Sequence, residues 1–370
     1  MNGKVNDYRV EEPAKVFFIG VKADEDSDSI AEKTELLIEK SDLLSITGEN
    51  KFTAIKQHFG ERGNKTFLSP PIAKKVISMI KKEKGFPVLV ETNTLYVGDR
   101  SDSYHHLMLA YDHGFSIEKT GAPVVIMDGM NGQNQTPVAI PGVHFKEVSL
   151  ASDIPFFDSI IVLSHVKGHM MSGMGGAIKN LGMGFASRAG KLTQHSDYKP
   201  EIKIHKCNMC GLCIKYCPAG ALRKNADRII VDKEVCIGCG ECFTACKNEA
   251  MSFEWIGSDR AFHEKMAEYA FGSIINHPGR VGFINYFIDV TKQCDCWGEE
   301  NPVIYENIGI FLSKDPVAVD KASYDMGKKV YGEDIFKVMW PELQTTVQFE
   351  HGERIGMGTC NYELINIRPD

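Results

Sequence analysis

SIIVLSHVKGHMMSGMGGAIKNLGMG, residues 159–184, decides how the fold is read. Its first six residues, SIIVLS, are a continuous apolar run, the kind of strand that a parallel sheet with both faces covered requires. His165, Lys167 and His169 follow at the end of that strand, then a glycine-rich loop, then a helix beginning near Ala177. A strand, a loop and a helix in that order gather backbone N–H groups and a positive helix end at one spot, which suits an anion. Gly173, Gly175 and Gly176 are therefore candidate anion-binding positions. The loop is no dinucleotide fingerprint, because Gly173, Gly175 and Ile178 fall at its three glycine positions and no acidic residue lies about twenty positions on, where His195 is the landmark. It also lacks the GK[ST] of a phosphate-binding P-loop. Glycines that simply let a helix and a strand pack closely would read the same way.

The same alternation runs outward in both directions. Residues 15–21 (KVFFIGV), 53–59, 87–92 (PVLVET) and 124–127 read as strands, and 29–44, a segment capped by Ser69 with Pro71 in its first turn, and 103–113 read as helices. Farther on, 259–271 reads as a helix, 280–290 (RVGFINYFIDV) and 307–312 (NIGIFL) as strands, and 317–330 as a helix. The expected fold is α/β, a layered and mostly parallel sheet with helices on its faces.

Two cysteine runs interrupt this pattern without ending it. Cys207, Cys210, Cys213 and Cys217 have the spacing CxxCxxCxxxC, and Cys236, Cys239, Cys242 and Cys246 repeat it twenty-nine residues later. Three thiolates spaced by three residues can wrap one face of an iron–sulfur cube, while the fourth reaches a second cube. The spacing therefore assigns Cys207, Cys210, Cys213 and Cys246 to one 4Fe-4S cluster and Cys236, Cys239, Cys242 and Cys217 to another. Zinc ribbons pair CxxC knuckles across longer gaps, and disulfide scaffolds belong to short secreted chains, so neither fits 370 residues with this duplication. The expected organisation is a main α/β domain in two halves, 1–202 and 257–370, with a small α+β insert at 203–256. Residues 206–254 resemble the bacterial two-cluster ferredoxin domain. Pro218 follows the fourth cysteine of the first run whereas Lys247 follows that of the second, a difference that would set the two cluster potentials apart.

Composition narrows the function. The net charge of -7, with both signs interleaved, speaks against nucleic acid, and the basic stretch at 74–84 reads as the solvated face of a helix. The N-terminus lacks a signal-peptide pattern and no apolar run approaches a membrane span, so a cytoplasmic protein is expected, in a reducing and anaerobic setting that suits eleven cysteines.

Further candidates lie outside the insert. Cys294 and Cys296 flank Asp295 and would project to one side of an extended segment, close enough to share a soft metal or to act as a redox pair; they would equally serve as small buried apolar residues. His58, His144 and His205 read as ordinary core or surface histidines, whereas His165 and His169 stand where open α/β sheets bind ligands. Asp128 and Glu91 end similar strands.

The segment 165–184, His195, the CDC triplet and SKDPVAVDKAS (313–323) together resemble the uncharacterised iron–sulfur centre proteins of domain of unknown function family 362, over nearly the whole chain. That resemblance implies an α/β main domain with an inserted two-cluster ferredoxin and lends no settled activity. The residues themselves lead to an expected reductase. Electrons from the clusters would reach an anionic small molecule, free or metal-bound, at a site of His165, Lys167, His169, Lys179 and His195, with a further transition metal on Cys294 and Cys296 as its sharper form. The competing expectation is a ferredoxin-like electron-transfer protein docking to a separate redox partner, which would need no deep pocket.

Overall fold

The computed structural model describes residues 12–368 apart from 97, 196–199, 218, 237–241, 243–244, 249 and 253–258. Cys239 lies outside the described residues. An eight-stranded sheet organises the chain, its strands lying side by side in the order Tyr362–Asn366, Ala14–Gly20, Gly309–Ser313, Val281–Phe287, Ser159–His165, Phe52–Gln57, Phe86–Glu91 and Val124–Ile126. Gly309–Ser313 runs antiparallel to both neighbours and every other adjacent pair is parallel. The α/β, mostly parallel expectation is what the structure shows.

Burial explains the apolar runs. Along Ser159–His165, Ile160 and Val162 pack into one core while Ile161 and Leu163 pack into another on the opposite face. A strand covered on both sides has no position for a polar alternation. The first core is closed by the helices Ala177–Gly184, Asp259–Ile274 and Pro316–Tyr331, the second by Ser27–Glu39 and Pro70–Lys82. Pro70–Lys82 starts at Ser69 with proline in its first turn, and Ile72, Ala73, Val76, Ile77 and Ile80 form its buried stripe. Its basic face is exposed at Lys74, Lys81 and Lys82, and Lys75 and Lys82 both pair with Glu35 of the neighbouring helix.

Strands from before and after the cysteine segment meet in this one sheet. Val281–Phe287 lies parallel to Ser159–His165, with Tyr286 opposite His165. The expected strand 280–290 is cut short at Phe287 because Asp289 adopts φ 44°, and a second short strand, Val290–Thr291, leads off in a new direction. The CDC triplet follows within five residues of that bend. Likewise the expected helix 29–44 stops at Glu39, where the Ser41 hydroxyl donates to Ile38 O and accepts from Leu43 N–H in place of helical bonding. Between the halves, Glu201–Ile202 pairs with Met251–Ser252 and Leu222–Asn225 with Arg228–Val231, around a separate small core of Cys213, Leu222, Ile229, Cys242 and Met251. Among the described residues no helix is long and apolar enough to cross a membrane.

Candidate functional site

The carboxyl ends of the parallel strands surround a cavity of about 390 Å³. His58 follows Phe52–Gln57, Glu91 and Thr92 end Phe86–Glu91, His165 ends its strand, and Cys294, Asp295 and Cys296 arrive from the bend after Val281–Phe287. This is the place where open α/β sheets hold ligands, and the volume suits a small molecule. His165, Lys167, His169, Lys179 and His195 all line it, with Gly175 and Gly176, so the structure brings the histidine loop and the distant CDC triplet to one wall.

Asp295 is the fastening between them. Its carboxylate accepts Lys167 Nζ at 2.6 Å and His165 Nδ1 at 3.0 Å, and its backbone carbonyl accepts Glu61 N–H at 2.9 Å. Burial alone would raise its pKa, but the Lys167 and His165 charges hold it well below the usual carboxylate range. His165 Nε2 lies 2.7 Å from Ile288 O, so both ring nitrogens are engaged by protein oxygens. His165 and Lys167 thus position the triplet, and neither has a nitrogen lone pair or proton left over for a ligand.

The glycine loop differs from the anion cradle expected of it. Lys167–His169 and Gly173–Gly175 form a tight hairpin, and the following helix N-terminus is already filled by the carboxylate of Asp320. Ala177 N–H and Ile178 N–H donate to Asp320 at 2.7 and 2.9 Å, and Asn285 Nδ2 adds a third bond at 2.7 Å. A Cβ at Gly176 would lie 2.4 Å from Asp320 Oδ1, and one at Gly173 would meet Thr345. The anion that Gly173, Gly175 and Gly176 were expected to bind is supplied by the protein itself, and the glycines admit close packing.

Positive charge inside the cavity comes from side chains instead. Lys56, Arg100, Lys167, Lys179 and Lys191 line it against two carboxylates, Glu91 and Asp295. Lys56 pairs with Glu91 at 2.7 Å, and Arg100 with Glu61 at 3.1 Å and Glu91 at 3.7 Å. Lys191 donates to Thr92 Oγ1, Asn93 O and Ala186 O. Lys179 reaches Cys294 Sγ at 3.5 Å. Burial pushes both Lys179 and Lys191 down to about 8. His195, stacked on Phe262 at 4.9 Å, is pushed down to about 4 by burial and by Lys179 and Lys191. Burial and nearby cations, Arg100 foremost for His58 and Lys179 for His169, lower those two imidazoles well below their ordinary value. The three rings are neutral at pH 7, so the proton source best matched to neutral pH is Lys179 or Lys191.

Cys294 and Cys296 are joined by a disulfide, and the donor atoms of His169, Cys294 and Cys296 lie within 4.8 Å of one another. The backbone N–H groups of Met171 and Ser172 point at His169 Nδ1 from 3.2 and 3.1 Å, which puts that ring's proton on Nε2. A metal-binding imidazole usually has its second nitrogen donating to an oxygen, the reverse of this pattern.

In the cysteine segment, Cys207, Cys210, Cys213 and Cys246 line a single small void with Ile202, Ile229 and Met251. Backbone N–H groups point at two of the sulfurs, Ala221 to Cys217 and Ala250 to Cys246, each at 3.2 Å. Four converging thiols in an apolar shell, with N–H donors to sulfur, are a donor set that an iron–sulfur cube fits.

An α/β protein with a cationic strand-end cavity is the class that fold and site define. The chain belongs to the family described as Domain of unknown function (DUF362), which residues 53–325 match. Among curated relatives, the B subunit of the anaerobic dimethyl sulfoxide reductase of Haemophilus influenzae is 47% identical over 51 residues, covering 13% of this chain and 25% of that protein. Pyruvate synthase subunit PorD of Methanothermobacter marburgensis is 31% identical over 84 residues, covering 23% of this chain and 96% of that one. The chain thus spans a quarter of the first relative and nearly all of the second. A Thermotoga maritima crystal structure aligns over 83% of this chain and 60% of its own with TM-score 0.43 and 11% identity, a likeness too slight to bear on function.

Lys56, Arg100 and Lys191 escape a sequence reading. Lys56 sits among the buried residues of its strand, and Glu91 on the adjacent strand together with Asn180 Oδ1 at 2.8 Å makes that burial tolerable. Glu91, read as the end of a strand, was the one available signal.

Proposed function

We propose that this protein is an iron–sulfur redox enzyme that delivers electrons to an anionic small molecule, free or metal-bound, in the strand-end cavity. The carrying observation is the cavity itself, lined by Lys56, Arg100, Lys167, Lys179 and Lys191 against two carboxylates, with His195 and Phe262 in its wall. Those two residues stand on the last α-helix described before the cysteine segment and on the first long helix after it. We take residues 203–256 as the electron-transfer unit, with Cys207, Cys210, Cys213 and Cys246 holding one 4Fe-4S cluster and Cys217, Cys236, Cys239 and Cys242 the other. Such clusters supply single electrons at low potential. Lys179 and Lys191 attract the anion, and Lys179 also provides a proton. Met170, Met171, Met183 and Trp297 offer an apolar wall to the rest of the substrate.

Support for iron–sulfur electron transfer comes from the relatives, whose names are those of oxidoreductase subunits. Those same names favour a second reading, a subunit that docks to a separate redox partner. A carrier of that kind has no use for a cationic cavity of small-molecule size, which is why the enzyme reading is preferred.

The test is anaerobic purification with iron and sulfide analysis, followed by reoxidation of the dithionite-reduced protein with small carboxylate and phosphate acceptors. Two cubes correspond to about eight irons. Saturable reoxidation by an anion supports the enzyme, and reoxidation by protein acceptors alone supports the carrier.

A further inference from the structure

The bridge between Cys294 and Cys296 spans a single residue. Closing so short a loop removes little disorder from an unfolded polypeptide, so this bridge contributes little as a crosslink. Its surroundings instead suit the reduced state. Cys294 Sγ receives Cys296 N–H at 3.4 Å and Lys179 Nζ at 3.5 Å, and a ring nitrogen of His169 lies within 4.8 Å of both sulfurs. A thiolate is a far better acceptor of such donors than a bridged sulfur. Among the described residues no carboxylate forms an ion pair with Lys179, and Cys294 Sγ at 3.5 Å is placed to serve as a contact counter-charge once reduced. Asp295, held by Lys167 and His165, keeps the backbone between the sulfurs fixed while the bond opens and closes.

We propose that Cys294 and Cys296 are a redox-active dithiol–disulfide couple facing the cavity, in which Cys294 is the sulfur released as a thiolate beside Lys179. The reductant is a small dithiol. One of its thiolates attacks Cys296 Sγ, the less buried sulfur, forming a mixed disulfide while the Cys294–Cys296 bond breaks and its electron pair leaves on Cys294. The second thiol of the reductant loses its proton, attacks its own partner sulfur and closes the oxidised reductant, releasing Cys296. Of the reductant's two protons, one ends on Cys296 and the other goes to solvent or to a neutral Lys179. Two electrons have then moved from the dithiol to the protein. That cluster electrons also fill this couple rests on the proposed function; the couple itself does not.

The test uses the full-length protein under anaerobic conditions, equilibrated in stepped ratios of reduced to oxidised dithiothreitol and then alkylated. Mass analysis of the peptide 293–314 counts free thiols, and iron, sulfide and other transition metals are measured on the same sample. Cys294 and Cys296 are expected to gain label together in one two-electron transition. Lys179→Met is expected to shift its equilibrium constant at least tenfold toward the disulfide, about 30 mV. Thiols that are labelled at every ratio, a bridge that never opens, or a transition that Lys179→Met leaves in place would overturn the proposal. So would a bound metal that Cys294→Ser releases. If Lys179→Met fails to fold, Cys296→Ser provides the second reading: the alkylation rate of Cys294 should have a pH midpoint below the ordinary thiol value of about 8.5, and a midpoint at or above it overturns the proposal. A protein without iron whose couple titrates as described would sink the proposed function and uphold the couple.

Discussion

Asp295 sits between Lys167 and His165 with almost no exposure, and its worth follows from what its loss would leave behind. Asp295→Asn strands the buried Lys167 ammonium, so it should cost about 3 kcal/mol, read as a lower urea midpoint at unchanged slope. Lys167→Met and Asp295→Asn combined should cost less than the sum of the two, because the remaining charge is fewer. Anion binding should report on Lys179 and Lys191. Both are pushed down to about 8 by burial, and both attract an anion only while protonated. Affinity for a small anion should therefore be greatest below about pH 8 and fall as pH rises through it, in calorimetric titrations at constant ionic strength. Lys179→Met should weaken binding at pH 7 by about tenfold, the loss of one charge-assisted hydrogen bond. His165, Lys167, His169 and Lys179 were legible because they stand at a strand end and in the loop and helix after it. The function of Asp295 was not, since a lone carboxylate between two cysteines carries no sign of a partner about 130 positions away.

Helix starts are the elements that the sequence announces most clearly. Ser69 before two prolines opens Pro70–Lys82, and Asp315 before Pro316 caps Pro316–Tyr331 by accepting Val317 and Ala318 N–H. The helix Ala177–Gly184 has no such local cap. Its first N–H groups are satisfied by Asp320 from another helix, which local pattern cannot reveal. Asp320→Ala leaves these donors and Asn285 Nδ2 buried without that acceptor and should destabilise by about 3 kcal/mol, while Asp320→Asn should cost less because one amide oxygen still accepts; denaturant unfolding of both variants checks this. The edge strand Tyr362–Asn366 was also missed. It is short and half-exposed, and its pairing with Ala14–Gly20 depends on a partner at the other end of the sequence.

At the scale of the molecule, the apolar strands made the mostly parallel sheet legible. What the sequence could not supply was distance. Only the sheet, by setting Val281–Phe287 beside Ser159–His165, carries the CDC triplet to the histidine loop across the intervening cysteine segment. The partition of the cysteines has its own consequence. On the proposed assignment, Cys246→Ala should lower iron by about four per molecule, through loss of the cube it would share with Cys207, Cys210 and Cys213, and leave the other cube spectroscopically intact. The central claim is that cluster electrons reach an anion held in the cavity. Its most direct measurement is the rate at which reducible carboxylates reoxidise the dithionite-reduced protein, followed by cluster absorbance, with Lys179→Met in parallel. The account predicts saturable reoxidation by at least one such anion and a loss of about tenfold or more at limiting anion concentration in the variant. Failure of every anion to reoxidise the clusters, or a rate indifferent to Lys179, would contradict it.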